Sequence, residues 1–274
     1  MENASASVPA VSRTDVLSPG GGAVPVAERL LRRPALVTPA TRRALRHRML
    51  LFRQAAMDRI LDLTGGSEAE LKTFRRELTE SDLPDVLIAR GAGIAFTREL
   101  PQGSLLYLLV RCLKPRRIVE TGVRPGYSTA WFLAALDANH VGELVSLGPG
   151  PSVGRATGVH DVGVGQFVAP KLRSRWTLVL GNTPEHLAAI LSESQGVDLF
   201  FYDNGPDAKR ARFELHGAWN ALSERGILLA HHVDLNPAFG EFSRAQGLTS
   251  QILDPGPPPM GAISMRSAGS RKRR

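Results

Sequence analysis

Apolar residues recur at helical spacing through Leu45, Met49, Phe52, Ala56, Ile60 and Leu63. This stripe predicts one helix from Pro39 to about Leu63. Thr38 is its expected N-cap, with proline at the first helical position, and Gly65-Gly66 stops it. Ser67 and Glu70 have the spacing of a capping box for a second helix through Leu78, and Leu83–Arg90 reads as a third, ended by Gly91.

From Gly103 onward the pattern changes. A helix over Leu105–Leu113 ends at Lys114-Pro115, and the β-branched run from Arg117 to Glu120 reads as a strand that stops at Thr121-Gly122. Strands are then expected over Glu143–Leu147, Trp176–Leu180, Asp198–Tyr202 and Ile227–Ala230. Helices are expected over Tyr127–Leu136, Pro184–Leu191, Asp207–Leu222 and Ala238–Ala245. Ser250–Leu253 and Ala262–Met265 are candidate final strands joined by the turn Pro255–Pro259. Strands alternating with helices imply right-handed crossovers and an α/β fold whose mostly parallel sheet is covered on both faces. Ligands of such sheets sit at the carboxyl ends of the strands, so chemistry is sought there.

At 274 residues, with 43% hydrophobic and 22% charged positions, the chain has ordinary globular composition. Its longest apolar runs, Ala130–Leu136 and Leu105–Val110, fall short of the roughly 20 residues a membrane span needs. The single Cys112 excludes an internal disulfide and a multi-thiolate zinc site. Met1–Ser5 lacks the basic-then-apolar pattern of a signal peptide, so a cytoplasmic location is expected. The net charge of +8 resides in the ends: residues 1–50 and 255–274 carry +5 each, and 51–254 carry −2. Basic tails attract polyanions without reading sequence, so the charge argues against a nucleic-acid enzyme. The organisation expected is an extended or disordered segment over 1–37, a helical region over 38–102 serving as lid, dimer surface or packing element, the sheet domain over 103–266, and a basic tail over 267–274.

Glu120-Thr121-Gly122-Val123-Arg124-Pro125-Gly126-Tyr127-Ser128 joins the first strand to a helix. Glycine permits a sharp turn and close approach of a ligand, and the helix start offers unpaired N–H groups. Glu120 is placed either to accept hydrogen bonds from a ligand or to brace the turn. The spacing is not G-x-G-x-x-G, and no G-x-x-x-x-G-K-[ST] occurs, so a plain strand-to-helix turn is an equal reading of this segment alone.

Arg117–Thr129 resembles the first motif of class I S-adenosylmethionine-dependent methyltransferases, in the small-molecule branch where the turn reads E-T-G-x-x-x-G-x-S. The resemblance continues in order through Gly142–Leu147, Val168–Thr183, Asp198–Asp203 and Arg225–Val233, covering about 103–246. It implies a Rossmann-like doubly wound sheet with an N-terminal helical extension, S-adenosylmethionine as cofactor, and a small-molecule methyl acceptor, with a hydroxyl the expected group. By the same resemblance Glu120, Thr121, Gly122 and Gly126 line the methionine end of the cofactor, Ser128 lies near its carboxylate, and Asn182 lies beside the adenine.

Two positions depart from the family. The acid that normally holds the ribose hydroxyls aligns with Gly148, a loss worth about 1–3 kcal/mol of cofactor binding. In the metal-dependent sugar and macrolide O-methyltransferases, acids at the ends of the fourth and fifth strands hold a divalent ion. Here those places are Asp203, His231 and His232, a set suited to a softer ion than magnesium. The subfamily's general base aligns with Pro206, which leaves His232 or His231 to take the role. Strand alternation puts the two histidines on opposite faces unless the strand has ended, so one is expected to face the pocket.

Blander roles stand beside these. Asp203 could cap the next helix or order the Asn204-Gly205 turn. His160-Asp161 could be an active-site element or part of a long loop, while His186, His216, Trp131 and Trp219 read as structural. Three function classes follow: a small-molecule methyltransferase, a non-catalytic scaffold on the same fold, and a metal-assisted enzyme of another reaction type.

Overall fold

The computed structural model describes residues 38–90, 100–148, 163–181, 184–193, 196–256 and 258–266. The segments expected at 1–37 and 267–274, His160-Asp161 and Asn182 lie outside the described residues.

The first helical stripe is interrupted. Instead of one helix to Leu63 there are two, α1 (Pro39–Met49) and α2 (Gln54–Thr64), with Arg53 extended at φ −92° between them. The break lets α1 lie along α4 (Leu83–Ala89) and α5 (Leu100–Leu113), while α2 reaches α5 and strand β6 (Gln251–Asp254). Thr38 caps α1 by accepting from Thr41 N at 3.1 Å, and the capping box of Ser67 and Glu70 opens α3 (Glu68–Glu80).

Seven strands form one sheet in the order β3-β2-β1-β4-β5-β7-β6. Strands β1 (Arg117–Thr121), β2 (Glu143–Gly148), β3 (Trp176–Leu180), β4 (Val197–Tyr202) and β5 (Leu222–His231) pair in parallel. β7 (Met260–Ser264) runs antiparallel to both β5 and β6. Because β2 lies on one side of β1 and β4 on the other, the chain leaves β1 at the point where strand order reverses, which opens a crevice there.

Alternation along the strands sorts two cores. Ile118, Phe201 and Leu229 face α5 and α6 (Tyr127–Asn139), and this core continues into Met49, Ile60 and Leu78 of the preceding helices. Val119, Phe200 and Leu228 face α7 (Pro184–Ser192), α8 (Ala208–Ala221) and α9 (Ala238–Ala245). Helices 39–89 thus share a core with α5, which begins at Leu100. Trp131 is fully buried edge-on to Tyr127, and Trp219 meets Phe242 edge-on, matching their structural reading.

Candidate active site

The glycine turn is built by backbone contacts. Gly122 adopts φ +89°, and its N–H donates to Leu147 O at 3.0 Å, while Asp203 N donates to Thr121 O at 3.0 Å. The ends of β1, β2 and β4 are therefore tied together at one point. Gly126, at φ +86°, precedes α6, and Gly165 N and Phe167 N donate to the carbonyls of Arg124 and Pro125. The segment after Gly163 thereby packs back over the turn.

Glu120 takes the bracing role. It is 1% exposed, and its oxygens accept from Ser128 Oγ, Thr129 Oγ1 (2.8 Å) and Ser146 Oγ (2.7 Å). Trp176 Nε1 donates to Ser146 Oγ at 2.9 Å and extends the network. Burial pushes the Glu120 carboxyl above its usual range, against the three hydroxyl donors. Thr121, also expected at the cofactor, is fully buried. Gly148 is packed under Val123, where a Cβ would come within 2.8 Å of Val123 Cγ1. A side chain at this position would require the Val123 side chain to shift. None of these three lines the cavity, whereas Gly122, Gly126 and Ser128 do. Glu120→Ala is expected to lower stability by about 3 kcal/mol, since it strands three hydroxyls around a buried hole. Thermal unfolding measures this. Because folding favours the protonated carboxyl, the Glu120 contribution is complete below the ordinary carboxylate range and is lost as pH rises through the folded value. Glu120→Gln should flatten that dependence.

The second half of the site comes from the ends of β4 and β5. Asp203 does not cap α8; Asp207 does, accepting from Lys209 N and Arg210 N at 2.9 and 3.1 Å. Asn204 Nδ2 donates to Glu214 Oε1 at 2.7 Å, and Tyr202 OH donates to Gly205 O at 3.1 Å, which fixes the turn after Asp203. The expectation that one histidine faces the pocket is corrected: both His231 and His232 line it. β5 ends at His231, and His232 takes φ +55°, so alternation no longer applies. Their rings lie 4.4 Å apart. A non-glycine residue in the left-handed region costs on the order of 1 kcal/mol. His231 stacks on Phe201, with Nδ1 3.0 Å from Asp203 Oδ1 and Nε2 2.7 Å from Gln102 Oε1. Burial first, then the neighbouring His231, lowers the His232 pKa below the usual imidazole value; Arg124 adds to this, and Asp203 and Asp234 oppose it.

Asp203, His231 and His232 offer three ligand atoms within 4.8 Å of one another. Two imidazole nitrogens and one carboxylate oxygen fit a transition-metal ion better than magnesium. Gln102 supplies the outer carbonyl that a ligating imidazole commonly meets through its other ring nitrogen.

The cavity between these halves measures about 280 Å³ and is closed by Leu106, Phe201 and Met260. Gln102 and Arg124 also line it, and neither was marked in the sequence as functional. For Gln102 a signal existed: it stands three, four and seven positions before Leu105, Leu106 and Leu109, on the face that α5 buries. A polar residue on such a face requires a partner. His216 meets Phe242 edge-on at 4.9 Å and lies away from the cavity, in keeping with its structural reading. A larger groove of about 780 Å³ between α2 and α3, lined by Met57, Leu61, Lys72 and Arg75, gathers no comparable chemistry.

Residues 119–233 match the family model of a methyltransferase domain. No curated protein matches the sequence. Among solved structures, a protein of Klebsiella pneumoniae provisionally assigned as an O-methyltransferase is 24% identical, with 73% of this chain and 97% of that one covered and a TM-score of 0.50. The Bacillus cereus O-methyltransferase solved with S-adenosylhomocysteine is 19% identical over 68% of this chain and 91% of its own, with a TM-score of 0.49. The O-methyltransferase TomG of Streptomyces achromogenes, solved with S-adenosylmethionine, is 17% identical over 68% and 90%, with a TM-score of 0.48. Strand order and the glycine turn at the switch point agree with the match of residues 119–233 to a methyltransferase domain.

Proposed function

We propose that this protein is a methyltransferase that transfers the methyl group of S-adenosylmethionine to a hydroxyl of a small molecule, with His232 as general base. The observation that carries this reading is a histidine, its pKa lowered by burial, in the cavity that also contains the glycine turn. When bound, the sulfonium supplies an activated methyl group. Gly122, Gly126 and Ser128, which line the cavity, would border its methionine end. In the transfer the sulfur–methyl bond breaks, an oxygen–methyl bond forms, and the hydroxyl proton passes to His232. The products are S-adenosylhomocysteine and a methyl ether. Leu106, Phe201 and Met260 give the acceptor an apolar seat that excludes water from the line of attack.

Titration calorimetry with S-adenosylmethionine tests the reading. Binding is expected below millimolar concentration, and none at millimolar ends it. Binding of both S-adenosylmethionine and S-adenosylhomocysteine without turnover on a panel of phenols and sugar hydroxyls would favour the non-catalytic scaffold.

A second reading is favoured by the donor set. A divalent transition-metal ion held by Asp203, His231 and His232 would act as a Lewis acid on the acceptor oxygen. His232 cannot fill both roles, because its lone pair either takes the proton or binds the ion. Chelation separates them: activity unchanged by EDTA supports the base, and loss restored by manganese or zinc supports the metal. The described residues contain no helix long and apolar enough to cross a membrane. A homodimer through residues 38–102 is the matching proposal for assembly, checked by light scattering.

A further inference from the structure

The cavity contains one guanidinium that the fold does not use. Arg124 stands in the glycine turn between Gly122 and Gly126, lines the cavity and is exposed. Among the described residues its guanidinium makes no hydrogen bond and no ion pair. Its backbone is fixed, since the Arg124 carbonyl accepts from Gly165 N at 2.9 Å. Of the residues lining the cavity Asp203 alone is acidic, and its Oδ1 lies 3.0 Å from His231 Nδ1. That carboxylate is engaged by the histidine and not by Arg124.

The segment that packs over the turn adds positive charge. Arg173 Nη2 lies 3.5 Å from Gly165 O and Arg90 Nη1 lies 3.4 Å from Gln166 O. Neither meets a carboxylate among the described residues. S-adenosylmethionine carries a sulfonium, an ammonium and a carboxylate, so binding it adds a further positive charge. A cavity walled in part by Leu106, Phe201 and Met260 screens charge poorly, and an anion on the acceptor would offset the excess. A planar guanidinium bonds a carboxylate through two parallel N–H groups, whereas an amide in its place offers no matching charge. The N-terminus of α6 already favours the methionine carboxylate of the cofactor, which leaves Arg124 to the acceptor. We propose that Arg124 is a specificity-determining residue, and that the acceptor carries a carboxylate on the apolar body that bears its hydroxyl. This rests on the reading of the cavity as the site of methyl transfer.

A matched pair of probes tests it. Para-hydroxybenzoate and para-hydroxybenzamide have nearly the same shape and differ in charge, and calorimetry on protein saturated with S-adenosylhomocysteine needs no turnover. The wild type is expected to bind the acid about tenfold or more tightly than the amide. Arg124→Gln should bind the two alike, and Arg124→Lys, which keeps the charge without the fork, should fall between. Melting temperature should not change in either variant, because the side chain bonds nothing in the fold. Equal binding of acid and amide by the wild type, no binding of the acid at millimolar concentration, or a preference that survives in Arg124→Gln would overturn the proposal. A tenfold loss of S-adenosylhomocysteine affinity in Arg124→Gln would also overturn it, by giving the guanidinium to the cofactor's own carboxylate. Failure of the wild type to bind S-adenosylmethionine or S-adenosylhomocysteine defeats the methyltransferase reading, while the same comparison on the unliganded protein still decides whether Arg124 selects an anion.

Discussion

Replacing His232 by asparagine should lower kcat by about a hundred- to ten-thousandfold, the range expected when a positioned general base is removed. Fold should be intact, because asparagine enters the left-handed region more readily than histidine and His232 sits at φ +55°. A melting temperature equal to or slightly above that of the wild type, together with collapsed turnover, separates chemistry from structure. The pH profile provides a second signature. Burial and the adjacent His231 hold the folded His232 pKa below its usual value, so kcat should stay flat through neutrality and fall only as pH drops below the ordinary imidazole range. The same shift links to stability with a definite sign: the neutral ring is favoured by folding, so its contribution is present above the ordinary pKa and is lost as pH falls through the folded one. Full activity in His232→Asn would remove the residue from the mechanism.

Most of the sheet was legible in the sequence because its strands are short apolar runs bounded by glycine, proline and polar turns; β5 is the exception, beginning at Leu222, five residues before the expected Ile227. Trp176–Leu180 matches residue for residue, and β1, β2 and β4 differ by one residue at an end. What periodicity could not carry was a change of direction without a change of pattern. The stripe from Leu45 to Leu63 continues across Leu50–Arg53, where the chain turns to reach different neighbours. The same limit affected the histidines. Period-two alternation puts His231 and His232 on opposite faces, and only the backbone at His232 shows that the strand has ended.

Site chemistry divides along a similar line. Residues of the glycine turn could be found because turn, strand end and helix start are local in sequence. Glu120 could be placed at that turn but not assigned, since its partners Ser128 and Ser146 lie 8 and 26 positions away and decide whether the carboxylate faces a ligand or the interior. Gln102 and His231 are 129 positions apart, and no local pattern joins them. Gly148 was legible as a missing acid, but the Val123 side chain that packs over it belongs to a neighbouring turn.

The tightness of that turn predicts the other large effect. A Cβ on Gly122 would stand 2.0 Å from Asp203 O and 2.5 Å from Asp203 C, both backbone atoms that cannot swing aside. β4 cannot withdraw freely, because Asp203 N donates to Thr121 O and Thr121 pairs in register with Tyr202. The left-handed conformation adds about 1–2 kcal/mol for any L side chain, and forced overpacking adds about 1–3 kcal/mol more. Gly122→Ala should therefore destabilise the protein by about 2–5 kcal/mol, and what remains folded should have Asp203 displaced from His231. Gly205→Ala is the internal control. Gly205 also has positive φ, +81°, but nothing lies within 4 Å of its would-be Cβ, so only the conformational cost of about 1 kcal/mol should appear. Equal melting temperatures for the two variants would mean that β1 and β4 do not converge on Gly122 as tightly as described. With Gly122→Ala much the weaker, addition of S-adenosylmethionine should stabilise Gly205→Ala but not Gly122→Ala, because the backbone the methionine moiety would lie against has been pushed out of line.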